Sequence, residues 1–136
     1  MHPRILFVDD EANIRELMTL YLCDQGMEVT AVATGQEAKE QFGHTPFDLT
    51  VLDLNLAGAD GLEVLDFIRH HDAKHPVIIY TGVNEGELYL KKFLLGRANA
   101  VVPKLSSLAS LLAVIRQHLP ASSSPGQTPA GPVPRS

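Results

Sequence analysis

The chain has 136 residues, 45% of them apolar and 20% charged, and a net charge of −5, which is the size and balance of one globular domain. The acidic balance excludes phosphate-backbone binding by bulk charge, and the single cysteine, Cys23, excludes an intrachain disulfide and argues against a cysteine metal site. No apolar run approaches the roughly 20 residues of a membrane span, and Met1-His2-Pro3-Arg4 leads into only four apolar residues, too few for a secretory signal, so a reducing, cytoplasmic setting is expected.

Ile5-Leu6-Phe7-Val8 is an apolar run without polar alternation, the pattern of a strand covered on both faces. A helical pattern follows with Ile14, Leu17, Met18, Tyr21 and Leu22, and Gly26 stands where a helix C-terminus would be closed. Residues 29–33 read as a second strand, 36–42 as a short helix and 49–52 as a third strand. Leu62, Leu65 and Ile68 recur at helical spacing over 62–69. Val77-Ile78-Ile79-Tyr80 is a fourth strand entered through Pro76. A helix is expected over 85–95 and a short fifth strand over 100–102. The last helix spans 108–118, with Leu108, Leu111, Leu112 and Ile115 on one face and Ser107 as its N-cap. Residues 120–136 carry five of the nine prolines and one charge, Arg135, and read as a flexible tail, linker or expression scar.

Five βα units with apolar strands imply an α/β fold: a doubly wound, five-stranded parallel sheet in the order 2-1-3-4-5, with helices on both faces. In such sheets the working site lies at the carboxyl ends of the strands, where the order reverses. Strand one runs into Asp9-Asp10-Glu11, strand three into Asp53, strand four into Thr81 and strand five into Pro103-Lys104. Aspartates gathered there repel one another, by about 4 kcal/mol for a pair about 4 Å apart at an effective dielectric of about 20. A hard divalent cation relieves this, and a site of few carboxylates with room for water suits Mg2+. With Lys104 opposite and a hydroxyl at Thr81, a phosphoryl group would be well matched. Taken singly, Asp9-Asp10 would also suit a helix N-cap and Asp53 a solvated loop; it is the coincidence at the strand ends that carries the reading.

Two other groups have plainer readings. His70, His71 and His75 cluster before strand four, where a solvated loop is expected rather than a metal site. Cys23 falls late in the first helix, where a buried small apolar residue is expected.

The residues quoted resemble the receiver domain of two-component response regulators. The resemblance rests on Ile5-Leu6-Phe7-Val8-Asp9-Asp10-Glu11, on Asp53-Leu54-Asn55-Leu56 through Asp60-Gly61-Leu62-Glu63-Val64-Leu65, on Thr81-Gly82 and on Lys104. It implies a flavodoxin-like receiver domain over 1–119, followed by the tail at 120–136. Asp53 would be the phosphoacceptor. Asp9, Asp10, Asp53 and the Asn55 backbone carbonyl would hold Mg2+, and Thr81 and Lys104 would bind phosphoryl oxygens. The implied partners are a sensor histidine kinase or phosphotransfer protein and an effector domain or partner protein, with neither nucleic acid nor membrane bound by this domain. The output face would include Tyr89, Lys91, Lys92, Val101 and Leu112. The chain would catalyse no reaction beyond its own phosphoryl transfer and dephosphorylation.

The chain also departs from the family pattern. Leu105 stands where proline usually follows the lysine, so the Lys104–Leu105 bond is expected to be trans. One extra residue is expected near Gly96-Arg97. Val101 replaces the usual aromatic switch residue, and Ala57 stands where proline is common. Two alternatives remain open. One is a receiver-like interaction module independent of phosphorylation. The other is a haloacid-dehalogenase-like phosphatase with an aspartate nucleophile, weakened because Asn55 cannot serve as its general acid.

Overall fold

The computed structural model describes residues 2–56, 59–82 and 97–120, and of Asn55, Leu56, Ala59 and Asp60 the backbone only. Its elements in chain order are β1 (Arg4–Val8), α1 (Ala12–Asp24), β2 (Glu28–Val32), α2 (Gly35–His44), β3 (Leu49–Leu52), β4 (Asn55–Leu56), β5 (Ala59–Asp60), α3 (Gly61–His71), β6 (Val77–Thr81), β7 (Ala100–Pro103) and α4 (Leu108–His118). The expected helix at 85–95 lies outside the described residues, as do Ala57, Gly96, Tyr89, Lys91, Lys92 and 121–136.

The main sheet has the order β2-β1-β3-β6-β7, and every pairing in it is parallel. Counting only its own strands, this is the 2-1-3-4-5 order expected from the βα alternation. β3 and β6 are buried along their whole length, and β1 after its first residue. Their unbroken apolar runs follow from this, because helices cover both faces. Alternate side chains feed two cores. Leu6, Val8, Leu52, Val77 and Ile79 pack with Ala38 of α2 and with Val64, Leu65 and Ile68 of α3. Ile5, Phe7, Leu49, Val51, Ile78 and Tyr80 pack with Met18 and Leu22 of α1 and with Leu111, Leu112 and Ile115 of α4.

Local chemistry fixes the element ends. Gly26, with φ of 90°, closes α1 in a backbone region that side chains rarely adopt. Thr34 and Glu37 form a reciprocal capping box at the start of α2. Ser107 caps α4, accepting the Ser110 N–H at 3.1 Å. The antiparallel β4–β5 hairpin was not anticipated: each strand has two residues, too short for any periodic signal.

Three sequence expectations are corrected. Cys23 is exposed, because the stripe of α1 facing the sheet is Met18 and Leu22. Leu17, read as part of the apolar face, is 46% exposed. His75 is buried rather than solvated, while His70 and His71 are exposed. The His75 ring stands edge-on to Phe42, with Nε2 2.9 Å from Thr50 Oγ1 inside the sheet.

Candidate functional site

Asp9, Asp53 and Lys104 each stand one residue beyond a strand, and each is held there by one more rung of the parallel ladder. The N–H of Asp9 donates to Val32 O at 3.1 Å, that of Asp53 to Val8 O at 2.9 Å, and that of Lys104 to Thr81 O at 2.9 Å. Sheet order therefore decides which ends meet, and register decides how far along each side chain projects. Thr81 is the last residue of β6, paired with Pro103 of β7, and is buried. Gly61 lets the start of α3 lie against this edge. A β-carbon there would stand 2.6 Å from Asp53 O and from Leu54 Cα.

The polar groups converge at the carboxyl ends of the central strands. Carboxylate oxygens of Asp9, Asp10 and Asp53 lie within 4.8 Å of one another. Asp9 and Asp53 are buried, and Asp10 is exposed. Lys104 Nζ reaches Asp9 Oδ2 at 2.9 Å, Glu11 Oε2 at 2.9 Å and Asp53 Oδ2 at 3.0 Å. The contacts to Glu11 and Asp53 have hydrogen-bond geometry. The approach to Asp9 Oδ2 is less well aligned, and that buried atom has no aligned hydrogen-bond partner among the described residues. Asp9 Oδ1 accepts the Glu11 N–H at 2.9 Å, and Arg15 of α1 donates to the Asp9 carbonyl at 2.9 Å.

These contacts answer the helix-cap reading of the acidic pair. The N-cap of α1 is Glu11, whose side chain makes no capping bond. Burial pushes the Asp9 carboxyl pKa above the ordinary aspartate value, against the opposing pull of Lys104 and the Glu11 N–H. Burial also opposes the charge on Lys104, but its contacts with Asp9, Glu11 and Asp53 outweigh that and hold the ammonium above the usual lysine range. Three converging carboxylates, one with a desolvated oxygen whose contact to the Lys104 ammonium is poorly aligned, fit a hard divalent cation.

The sequence-derived residues fall as follows. Asp9, Asp10, Asp53 and Lys104 come together, and Thr81 ends the strand beside Lys104. Asn55 opens β4 two residues past Asp53. Val101 is half-buried in β7 and packs against the core under α2 and α3, with no ring to swing. Leu112, placed on the output face by the resemblance, is buried beneath α4. The Lys104–Leu105 bond is trans, as expected. Glu11, at the end of strand one but given no role by the sequence, joins the site through Lys104. The available signal was a long carboxylate at an N-cap, where short polar side chains are preferred.

Comparison with known proteins agrees with this architecture. The model of the response regulator receiver domain matches residues 5–116. The transcriptional activator protein PfeR of Pseudomonas aeruginosa is 34% identical over 109 residues, covering 80% of this chain and 35% of that protein. The transcriptional regulatory protein ResD of Bacillus subtilis is 34% identical over 111 residues, covering 82% and 46%. The chain thus spans less than half the length of these curated relatives. The crystal structure of the response regulator TrrA from Thermotoga maritima, in complex with Mg2+ and BeF, superposes with a TM-score of 0.78 at 32% identity, covering 86% of this chain and 99% of that one. Acids at the carboxyl edge of a 2-1-3-4-5 sheet and a family match over nearly the whole described length lead to one assignment: the chain belongs to the response regulator receiver domain family, a signalling module of two-component systems.

Proposed function

We propose that Asp53 accepts a phosphoryl group from a phosphohistidine of a sensor kinase or phosphotransfer protein. An Asp53 oxygen bonds to phosphorus, the P–N bond of the donor breaks, and the departing imidazole takes up a proton. The observation that carries this reading is the convergence of the Asp9, Asp10 and Asp53 carboxylates within 4.8 Å, with the Lys104 ammonium 2.9 Å from Asp9 Oδ2 and 3.0 Å from Asp53 Oδ2. Asp9, Asp10, Asp53 and the Asn55 carbonyl would hold Mg2+, which supplies positive charge against the incoming phosphoryl oxygens. The Mg2+–BeF complex of the Thermotoga relative supports this by likeness.

The chain's own residues do the remaining work. Lys104 neutralises phosphoryl charge, and the Thr81 hydroxyl donates one hydrogen bond. Later attack by water on phosphorus returns Asp53 and releases phosphate, so the domain turns over only its own phosphoryl group. The added charge of about −2 biases β7 and the elements beside it toward a second arrangement, and that arrangement is read by an effector domain or partner protein. With Val101 in place of a ring, the shift is carried by Thr81 and the backbone. Such a relay belongs in the cytoplasm.

Incubation with Mg2+ and a small acyl phosphate tests the reading. Intact-protein mass spectrometry is expected to find one added phosphoryl group in the wild type and none in Asp53→Asn. An unmodified wild type would leave a receiver fold that works as an interaction module, and an Asp53→Asn chain that is still modified would move the acceptor elsewhere.

A further inference from the structure

We infer that Glu11 is the positioning residue for Lys104: it anchors the ammonium at the rim of the acidic pocket, so that Asp9 and Asp53 can turn to a divalent cation without the lysine leaving the site. This rests on the metal-assisted reading above and adds a role for a residue outside the converging carboxylates Asp9, Asp10 and Asp53.

Glu11 occupies the N-cap of α1, yet its side chain does not cap. Its carboxylate reaches across 93 positions of sequence to accept a hydrogen bond from Lys104 at 2.9 Å. An ammonium has three N–H donors. One aligned bond goes to Glu11 and one to Asp53, while Asp9 Oδ2 is 2.9 Å away without alignment. Leu105, the residue that follows Lys104, is 98% exposed and adds no packing beside it.

The ammonium and a divalent cation compete for the same oxygens of Asp9 and Asp53. Were those two its only partners, a cation taking both would strand a Lys104 side chain that is 16% exposed, and an unpaired, largely desolvated charge is costly. Glu11 removes that cost. Its side chain is 61% exposed, so it stays solvated at the rim and remains bound to Lys104 whether or not the inner carboxylates are engaged.

Mg2+ titration of the metal-free proteins, followed by amide chemical shifts, tests this in wild type, Glu11→Gln, Glu11→Asp, Lys104→Met and the Glu11→Gln/Lys104→Met pair. Glu11→Asp keeps the charge but is one methylene too short to reach Lys104. Both Glu11 variants are expected to bind Mg2+ about tenfold more weakly than wild type, whereas with Lys104 already removed Glu11→Gln should change affinity by less than about threefold. Wild-type affinity in Glu11→Asp would overturn the inference and leave a long-range charge effect. Equal losses with and without Lys104 would overturn it too. If Lys104→Met does not fold, the Glu11→Asp comparison decides. If no protein binds Mg2+, the metal-assisted reading fails and takes this inference with it; if all bind equally, the metal site stands and only the role of Glu11 is lost.

Discussion

At Gly61 the chain has no room for a β-carbon, because the nearest atoms are the Asp53 and Leu54 backbone at 2.6 Å. Backbone cannot rotate away as a side chain can, so Gly61→Ala must displace either α3 or the segment carrying Asp53. We expect a loss of about 1–3 kcal/mol, read as a lower urea midpoint, together with weaker modification of Asp53; an alanine variant that melts like wild type would show that the edge has slack. His75 makes a different demand. Burial lowers its pKa from 6.5 to about 4, helped by Arg69 and opposed by Asp72 and Asp48. The unfolded chain therefore takes up a proton that the folded chain refuses. The stability due to neutral His75 is complete above about pH 6.5 and is lost as pH falls toward about 4, by up to about 3 kcal/mol. Urea midpoints at about pH 7 and pH 5 should fall further in wild type than in His75→Gln, and equal falls would refute the assignment. The sequence placed three histidines in one cluster but did not distinguish them. Of the three, only His75 is buried, beside Thr50 of the interior strand β3.

Among the elements, the Gly26 closure and the Ser107 cap were legible because the signal is local, whereas the Thr34 box, just as local, was not read in advance. The Thr34 box and the Ser107 cap each span four residues and are satisfied within that span. Thr34→Ala removes the acceptor for the Glu37 N–H and should cost about 1 kcal/mol, visible as a drop in melting temperature of about 4–8 °C for a domain near 100 residues; an unchanged melt would mean that α2 is held by packing alone. The link between α3 and β7 was not legible. Arg69 donates to Arg97 O at 2.7 Å, to His75 O at 2.6 Å and to Asn99 Oδ1 at 3.1 Å, and Asn99 Oδ1 in turn accepts the Val77 N–H at 2.9 Å. One guanidinium fork thus ties the end of α3, the entry to β6 and the approach to β7. Nothing in the helical spacing of Arg69 marks it for that task, since a basic residue in the last turn of a helix also suits the dipole.

For the whole molecule, the acidic edge sets stability against function. Carboxylates held together at the end of a sheet repel one another, and the contacts of Lys104 offset that only in part. A cation bound by the folded chain alone should stabilise it by about 2.7 kcal/mol at a hundredfold excess over its dissociation constant. Melting with Mg2+ and then with excess chelator should show a reversible rise, which Asp53→Asn largely abolishes. A melting temperature that ignores Mg2+ would contradict the proposed ligand set.

The sequence by itself determined the unbroken apolar strands, the βα alternation and the chemistry at each strand end, because those signals repeat over a few residues and depend on which faces are buried. From them followed the sheet order and the meeting of Asp9, Asp53, Thr81 and Lys104 at one edge. Tertiary structure alone decided what each long side chain touches once it arrives there: Glu11 on Lys104 instead of its helix end, Arg69 across two loops, His75 under β3 and Cys23 out in solvent. Several of those contacts span long stretches of chain, from 25 positions between Thr50 and His75 to 93 between Glu11 and Lys104. Register and helix rotation fix their distances, and neither leaves a period in the sequence.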